Sequence, residues 1–299
     1  MSVNASAKHK AKDHRYSWCV EEGKGYMSRK REDGVHKARA WHACGDSSMY
    51  ERVSLKQAKN ARIKRSLCFY NPYEVYVALT GNKEVLKWLE FISNHYVPPK
   101  ARILLMYPCS AKKPYYESRS YKRLFETLSK LGEKRKEVHV VTISEPFGLI
   151  PEEFYGRKVA WHDWSNSWYD CPGLFEWWCR RYGQPYSREY LDKCVRILAG
   201  YVAKYFEKAK VMKSYLRMIA FVRTFSSNLK VRADHTHRRI VELAAKTADV
   251  IVDILPPKEV VSKIVSKRGK LAWDLYGVSH PMAQDYLLGY LKEILRHEN

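Results

Sequence analysis

Four short runs of mostly apolar residues constrain this chain more than any other feature: Ile103-Leu-Leu-Met-Tyr107, Val138-His-Val-Val-Thr-Ile143, Met218-Ile-Ala-Phe-Val222 and Val250-Ile-Val-Asp-Ile-Leu255. Each is too short for a buried helix and lacks strict polar alternation, the pattern expected of strands covered on both faces. Segments with helical period lie between them. Tyr121, Leu124, Phe125, Leu128 and Leu131 share one face, with Ser118 or Ser120 placed to cap the helix and Gly132 to stop it. Leu191, Cys194, Val195, Leu198, Val202, Tyr205 and Phe206 follow a cap at Ser187, and residues 235–247 form a further helix. Strands alternating with helices predict an α/β fold: a three-layer α/β/α arrangement around a mostly parallel central sheet.

The flanks read differently. Pro72 starts a short helix that stops at Gly81, and a second helix presents Val85, Leu86, Leu89 and Ile92 before Val97-Pro98-Pro99 ends it. Pro256-Pro257 closes the alternating region, and a last helix spans residues 281–297. The expected division is a basic, aromatic-rich segment over 1–66, a helical connector over 67–99, an α/β domain over 100–257 and a helical extension over 258–299. A loop rich in Trp and Tyr, roughly 145–185, interrupts the alternation.

Charge bounds the function. Lys and Arg number 54 against 32 Asp and Glu, a net charge of +22 that attracts polyanions, of which nucleic acid is the commonest in a cell. Residues 1–66 hold 16 Lys or Arg and seven Asp or Glu, threaded with Tyr16, Trp18, Tyr26, Trp41 and Tyr50. Cations that hold a backbone and rings that stack on exposed bases suit RNA. Lys30, Arg31, Arg39, Arg62, Lys64, Arg65 and, further on, Lys112 are the candidate contacts. A β-rich layer with its aromatics inside and its charges solvated fits the same segment equally well.

No stretch approaches the ~18 apolar residues of a membrane span, and the N-terminus lacks the apolar centre of a secretory signal. Seven cysteines at irregular spacing argue against a disulfide framework, so a cytoplasmic protein is expected. No cofactor is expected. No metal site is expected either: there is no Cys-x-x-Cys pair, and Cys19, His36, His42 and Cys44 lack zinc spacing. His235 and His237 lie two apart and read as a capping or RNA-facing pair.

Ligands of open α/β sheets bind beyond the carboxyl ends of the strands, and three loops there are chemically loaded. After the first strand, Pro108 to Ser120 crowds Cys109 with Ser110, Lys112, Lys113, Tyr115, Ser118 and Ser120. A lysine and the positive end of a helix favour the nucleophilic form of such a cysteine. After the second strand, Glu145 is placed as an acid or base, and Gly148 permits a turn that other residues resist. The third loop, Trp161 to Gly173, either buries its rings as a structural loop or stacks them, Trp168 among them, on a base whose edge Asp170 or Asp163 can hydrogen-bond.

Taken in order, these loops resemble archaeosine synthase, an archaeal tRNA-modifying enzyme family related to tRNA-guanine transglycosylase. Pro108-Cys-Ser-Ala-Lys-Lys-Pro-Tyr115, continued by Ser118-Arg-Ser120, resembles its Pro-Cys-Ser-x-x-Lys-Pro-Tyr-x-x-Ser-x-Ser-His signature. Pro146-Phe-Gly-Leu-Ile-Pro-Glu-Glu-Phe154 and Tyr169-Asp-Cys-Pro-Gly173 resemble two further segments of that family. The similarity covers about residues 100–255 and implies a fold like that of uracil-DNA glycosylases. Tyr121 stands where the signature has its final His, and Glu145 is an addition before Pro146.

The resemblance implies amine addition to the nitrile of a 7-cyano-7-deazaguanine nucleotide in RNA, with tRNA and free lysine or another amine as partners. It leaves the family's transglycosylase-like barrel and RNA-binding domain unaccounted for, so a protein partner supplying them is expected. Two chemical routes are open: Cys109 adds first to give a thioimidate that the amine displaces, or the site orients the amine for direct attack. Cys109 then binds or attacks, Ser110 and Lys113 polarise developing charge, Asp170 holds the base and Glu145 moves protons. A non-catalytic RNA-binding subunit and a DNA glycosylase-like enzyme that extracts a flipped base are the competing readings.

Overall fold

The structure, a computed structural model, describes residues 16–21, 24–30, 36–40, 63–155, 168–230, 232 and 235–297. Residues 1–47 and 48–299 are two compact units. In the first, β1 (Tyr16–Glu21), β2 (Lys24–Lys30) and β3 (His36–Ala40) form an antiparallel meander that sets Trp18 opposite Met27 and Tyr26 opposite Cys19 and Ala40. Of the expected RNA contacts, Arg31 and Arg62 lie outside the described residues, as do the side chains of Lys30, Arg39, Lys64 and Arg65.

The second unit runs β4 (Ile63–Cys68), α1 (Pro72–Gly81), α2 (Lys83–Glu90), β5 (Ile103–Pro108), α3 (Arg119–Ser129), β6 (Val138–Ser144), β7 (Gly148–Pro151) and β8 (Trp168–Asp170). It continues through α4 (Glu176–Arg181), α5 (Arg188–Val211), β9 (Arg217–Phe221), α6 (Thr236–Ala248), β10 (Asp253–Leu255), α7 (Lys258–Arg268), α8 (Lys270–Tyr276) and α9 (Pro281–His297). Short polar side chains start the helices as the sequence leads one to expect. Asn71 accepts from the amide of Glu74 at 3.0 Å, Ser118 from that of Tyr121 at 3.2 Å and Ser187 from that of Tyr190 at 3.3 Å.

The central sheet has the order β10-β9-β5-β6-β7, with the first four strands parallel and β7 antiparallel at the edge. Leu105 lies in register with both Val140 and Ile219, and all three are fully buried. Truncating any of them to Ala would cost about 2–5 kcal/mol. Helix α5 packs on α6 and α1, while α9 packs on α3 and α7. These two helical layers on the sheet make the fold the expected three-layer α/β/α sandwich.

Two details differ from the sequence reading. The aromatic loop over 145–185 contains elements of its own, β7, β8 and α4, because Gly148 at φ +64° lets the chain reverse within a few residues of β6. A strand of four residues leaves no periodic signal. The last strand starts at Asp253 rather than Val250, since Asp249 ends α6 in a left-handed conformation and Ile251 faces solvent. No helix among the described residues is long and apolar enough to cross a membrane.

Candidate functional site

β6 and β9 flank β5 on opposite sides, so the strand order reverses at β5. The crevice beyond the carboxyl ends of strands at such a reversal is the usual ligand position in open α/β sheets. A cleft of about 240 Å³ opens there. Cys109 and Ser120 line it from the first loop, Gly173 from the third with Phe175 just after it, Arg223 and His235 from the segment joining β9 to α6, and His237 from the first turn of α6. Tyr276, the last residue of α8, and Ser279 just after it also line the cleft, so the C-terminal helices belong to the site.

Cys109 is the first residue after β5, and its amide still donates to Ile143 O at 2.9 Å, continuing the β5–β6 ladder past the strand end. Glu145 leaves the end of β6 in the same way. His237 lies in the first turn of α6. These three chain segments bring Cys109 Sγ to 3.4 Å from His237 Nε2 and 3.8 Å from Glu145 Oε2. Glu145 Oε2 and His237 Nε2 are 3.2 Å apart. The Thr236 hydroxyl donates to the other carboxylate oxygen, Oε1. Glu145 and His237 are buried, whereas Cys109 keeps partial access from the cleft.

Burial alone would push the Glu145 carboxyl up, but the neighbouring His237 cation and the Thr236 hydroxyl offset it and hold it at about 2. Burial opposes the charge of His237 as well, and Glu145 with Cys109 more than offsets that, raising the imidazole to about 10. Glu145 and His237 are thus a buried ion pair. His235 is the reverse case: burial, then His237 and Arg223, press it down to about 3, so it is neutral. Its ring lies over that of His237 at 5.5 Å and edge-on to Phe175 at 5.0 Å, and it makes no side-chain cap to α6. Of the pair read as a capping or RNA-facing element, His235 makes no side-chain cap, and both histidines line the cleft.

Other expected site residues support this cluster from below or lie elsewhere. Lys113 is buried, with Nζ donating to Cys171 O at 3.3 Å and sitting 4.3 Å from the centre of the Tyr169 ring. The hydroxyls of Tyr115, Tyr169 and Ser144 form one buried hydrogen-bonded chain. Ser118 caps α3 and lies 3.3 Å from the Ser120 hydroxyl. Ser110 is half-buried beside Cys109, and Lys112 pairs with Glu117 at 3.8 Å. Gly148 packs against Leu89, away from the cleft. Asp170 is buried next to Tyr70, whose hydroxyl donates to Oδ2 at 3.2 Å, and it does not line the cleft. Trp168 begins β8, and its side chain lies outside the described residues.

His237 is the member of this cluster that the motifs do not mark. The strand-end rule that picks out the first two loops applies equally to the segment after β9, where a histidine in the first turn of the next helix is the available signal.

The family described as "Domain of unknown function (DUF5591)" matches residues 85–250. The archaeosine synthase subunit alpha of Thermoplasma acidophilum is 34% identical over 95 residues, 32% of this chain and 17% of its own length. That of Thermococcus kodakarensis is 40% identical over 92 residues, 28% of this chain and 16% of its own. That of Methanosarcina acetivorans is 38% identical over 79 residues, 26% of this chain and 12% of its own. The resemblance carried by the three loops is therefore borne out over partial segments, and the matched stretch is under a fifth of each relative.

Proposed function

The chain belongs to the DUF5591 family, and we propose that it acts in RNA modification, adding an amine to the nitrile of a 7-cyano-7-deazaguanine nucleotide in tRNA. The convergence of Cys109, Glu145 and His237 at the switch-point cleft carries this reading. Addition to a nitrile places developing negative charge on nitrogen and then needs a proton there. His237 brings both a positive charge and a proton to the cleft, and Glu145 holds it in that state. It supplies the proton carrier that the family signature has in its final His and that Tyr121 does not provide. Relatives named archaeosine synthase, matched over partial segments, support the substrate class. The net charge of +22 supports RNA as the partner, with free lysine as the amine and a protein partner supplying further RNA-binding domains.

The test is incubation of the full chain with tRNA carrying 7-cyano-7-deazaguanine and isotope-labelled lysine, read by nucleoside mass spectrometry. The expected result is a labelled adduct that disappears in Cys109→Ala. Tight binding of the tRNA with no adduct would instead favour a non-catalytic RNA-binding subunit. Tighter binding of duplex DNA than of tRNA across a salt series would overturn the RNA reading.

A further inference from the structure

The same three side chains carry a second message in their geometry. When a histidine relays protons between a nucleophile and a carboxylate, it uses opposite ring nitrogens, one toward each. Here a single nitrogen, Nε2 of His237, faces both Cys109 Sγ at 3.4 Å and Glu145 Oε2 at 3.2 Å, while Nδ1 is buried with no hydrogen-bond partner among the described residues. One N–H can serve both only as a shared, weaker three-centre bond. Three donor atoms aimed at one shared point is the arrangement a metal ion asks for.

The separations agree. Zinc bonds of about 2.3 Å to sulfur and about 2.0–2.2 Å to nitrogen and oxygen, at tetrahedral angles, set ligand atoms about 3.3–3.6 Å apart. The observed separations, 3.2, 3.4 and 3.8 Å, lie inside that range or within about 0.2 Å of it, on residues whose backbones are fixed by two strand ends and a helix start. Thr236, donating to Glu145 Oε1, holds the carboxylate so that Oε2 alone turns toward the cluster. This is the outer support typical of metal ligands. Cys109 and His237 both line the cleft, so a fourth coordination position would open into it. Three protein ligands and one open position is the pattern of catalytic rather than structural zinc.

The geometry points to Cys109, Glu145 and His237 as a mononuclear site for a divalent transition metal, zinc being the ion that best suits a sulfur, nitrogen and oxygen donor set. Sequence spacing hides such a site, because Cys109 lies 36 residues from Glu145 and 128 from His237. The site does not depend on the reading as an RNA-modifying enzyme; its role in turnover rests on that reading. There a bound metal would polarise the nitrile in place of a protonated His237, whose Nε2 would be deprotonated as a ligand. Cys109 would be a ligand rather than the nucleophile, so the amine attacks directly. The amine nitrogen forms the bond to carbon, a nitrile π pair moves onto nitrogen, and an amine proton follows to give the amidine. No group leaves.

The experiment is cobalt titration of the full chain after chelator treatment, followed by absorbance, with the metal content of untreated protein measured by plasma mass spectrometry. The expected result is a single tight equivalent, intense visible bands of tetrahedral cobalt and a thiolate-to-cobalt charge-transfer band in the near ultraviolet. Cys109→Ser should abolish that charge-transfer band, and His237→Gln should weaken binding by more than about 10–100-fold, the loss typical of outer-shell changes alone. The wild-type charge-transfer band remains a readout should either variant fail to fold. Absence of the band, or its persistence in folded Cys109→Ser, overturns the site. Full lysine addition by metal-stripped chain overturns its catalytic role and leaves the function standing. Metal binding without any adduct leaves the site standing and fails the function.

Discussion

The Tyr121 hydroxyl donates to the Pro108 carbonyl at 3.1 Å, tying the first turn of α3 to the residue immediately before Cys109. The same hydroxyl is hydrogen-bonded to Thr142 of β6, and the ring is fully buried between Tyr107 and Tyr115. Tyr121 therefore replaces the family's histidine with a structural strut and does not line the cleft. Tyr121→Phe keeps the ring and strands buried acceptors, which should cost about 1–3 kcal/mol. A urea midpoint lowered by that amount, with the cleft's ligand affinity changed far less, is the expected outcome. A large loss of affinity at unchanged stability would return Tyr121 to the chemistry.

Gly148 and Gly200 should respond to alanine with opposite signs. Gly148 sits at φ +64°, and a Cβ there would lie 3.2 Å from the Leu89 side chain. Left-handed backbone costs a non-glycine residue roughly 1–2 kcal/mol before any crowding. Gly200 lies inside α5 with open space where its Cβ would go, so Gly200→Ala should stabilise by about 0.5–1 kcal/mol. Paired denaturant melts of the two variants measure the difference directly.

What the sequence made legible follows from where the signals are local. Three of the four strands announce themselves because residues 103–107, 138–144 and 218–221 are covered on both faces, and burial on both faces removes polar residues. The fourth, at the sheet edge, is only half-buried and starts later than its apolar run suggests. The caps at Ser118 and Ser187 are legible because each acts within three residues of itself. Cys109 and Glu145 are legible because strand ends collect ligands. His237 is not, since its meaning comes from residues 128 and 92 positions away, the second separation being that from Glu145. The burial of Lys113 over Tyr169 is not legible for a related reason: it is set by Tyr169 and Cys171, more than 50 residues away. The wall at Tyr276 and Ser279 depends on how α8 and α9 return to the sheet, which no local pattern encodes.

Thr236 is expected to act as a positioning residue. Its hydroxyl is the donor that fixes Glu145 Oε1, and both groups are buried. Thr236→Val preserves shape and removes that donor, leaving a carboxylate oxygen unsatisfied at a cost of about 1–3 kcal/mol. It should also weaken cobalt binding by about 10–100-fold. Thr236→Ser keeps the hydroxyl and should restore both quantities. A merely structural role would move stability alone.

The pair His139 and Glu153 offers a test by pH, well away from the cleft. His139 Nε2 lies 3.1 Å from Glu153 Oε2, and the Tyr96 hydroxyl donates to Oε1. Burial raises the Glu153 carboxyl, but the hydrogen bond and charge of His139, with the bond from Tyr96, hold it below its ordinary value. An unfolded glutamate titrates near about 4.3. With the folded value lower than that, the unfolded chain binds the proton first as pH falls, and the stability from this group is present above about pH 4.3 and lost below it. Glu153→Gln should therefore be less stable than the native chain at neutral pH, and the gap should narrow as pH drops through the folded value. Urea melts of both proteins from neutral pH down to about pH 3.5 follow that gap. A gap of constant size would mean that Glu153 contributes shape rather than charge. A gap that widens in acid would reverse the sign of the shift.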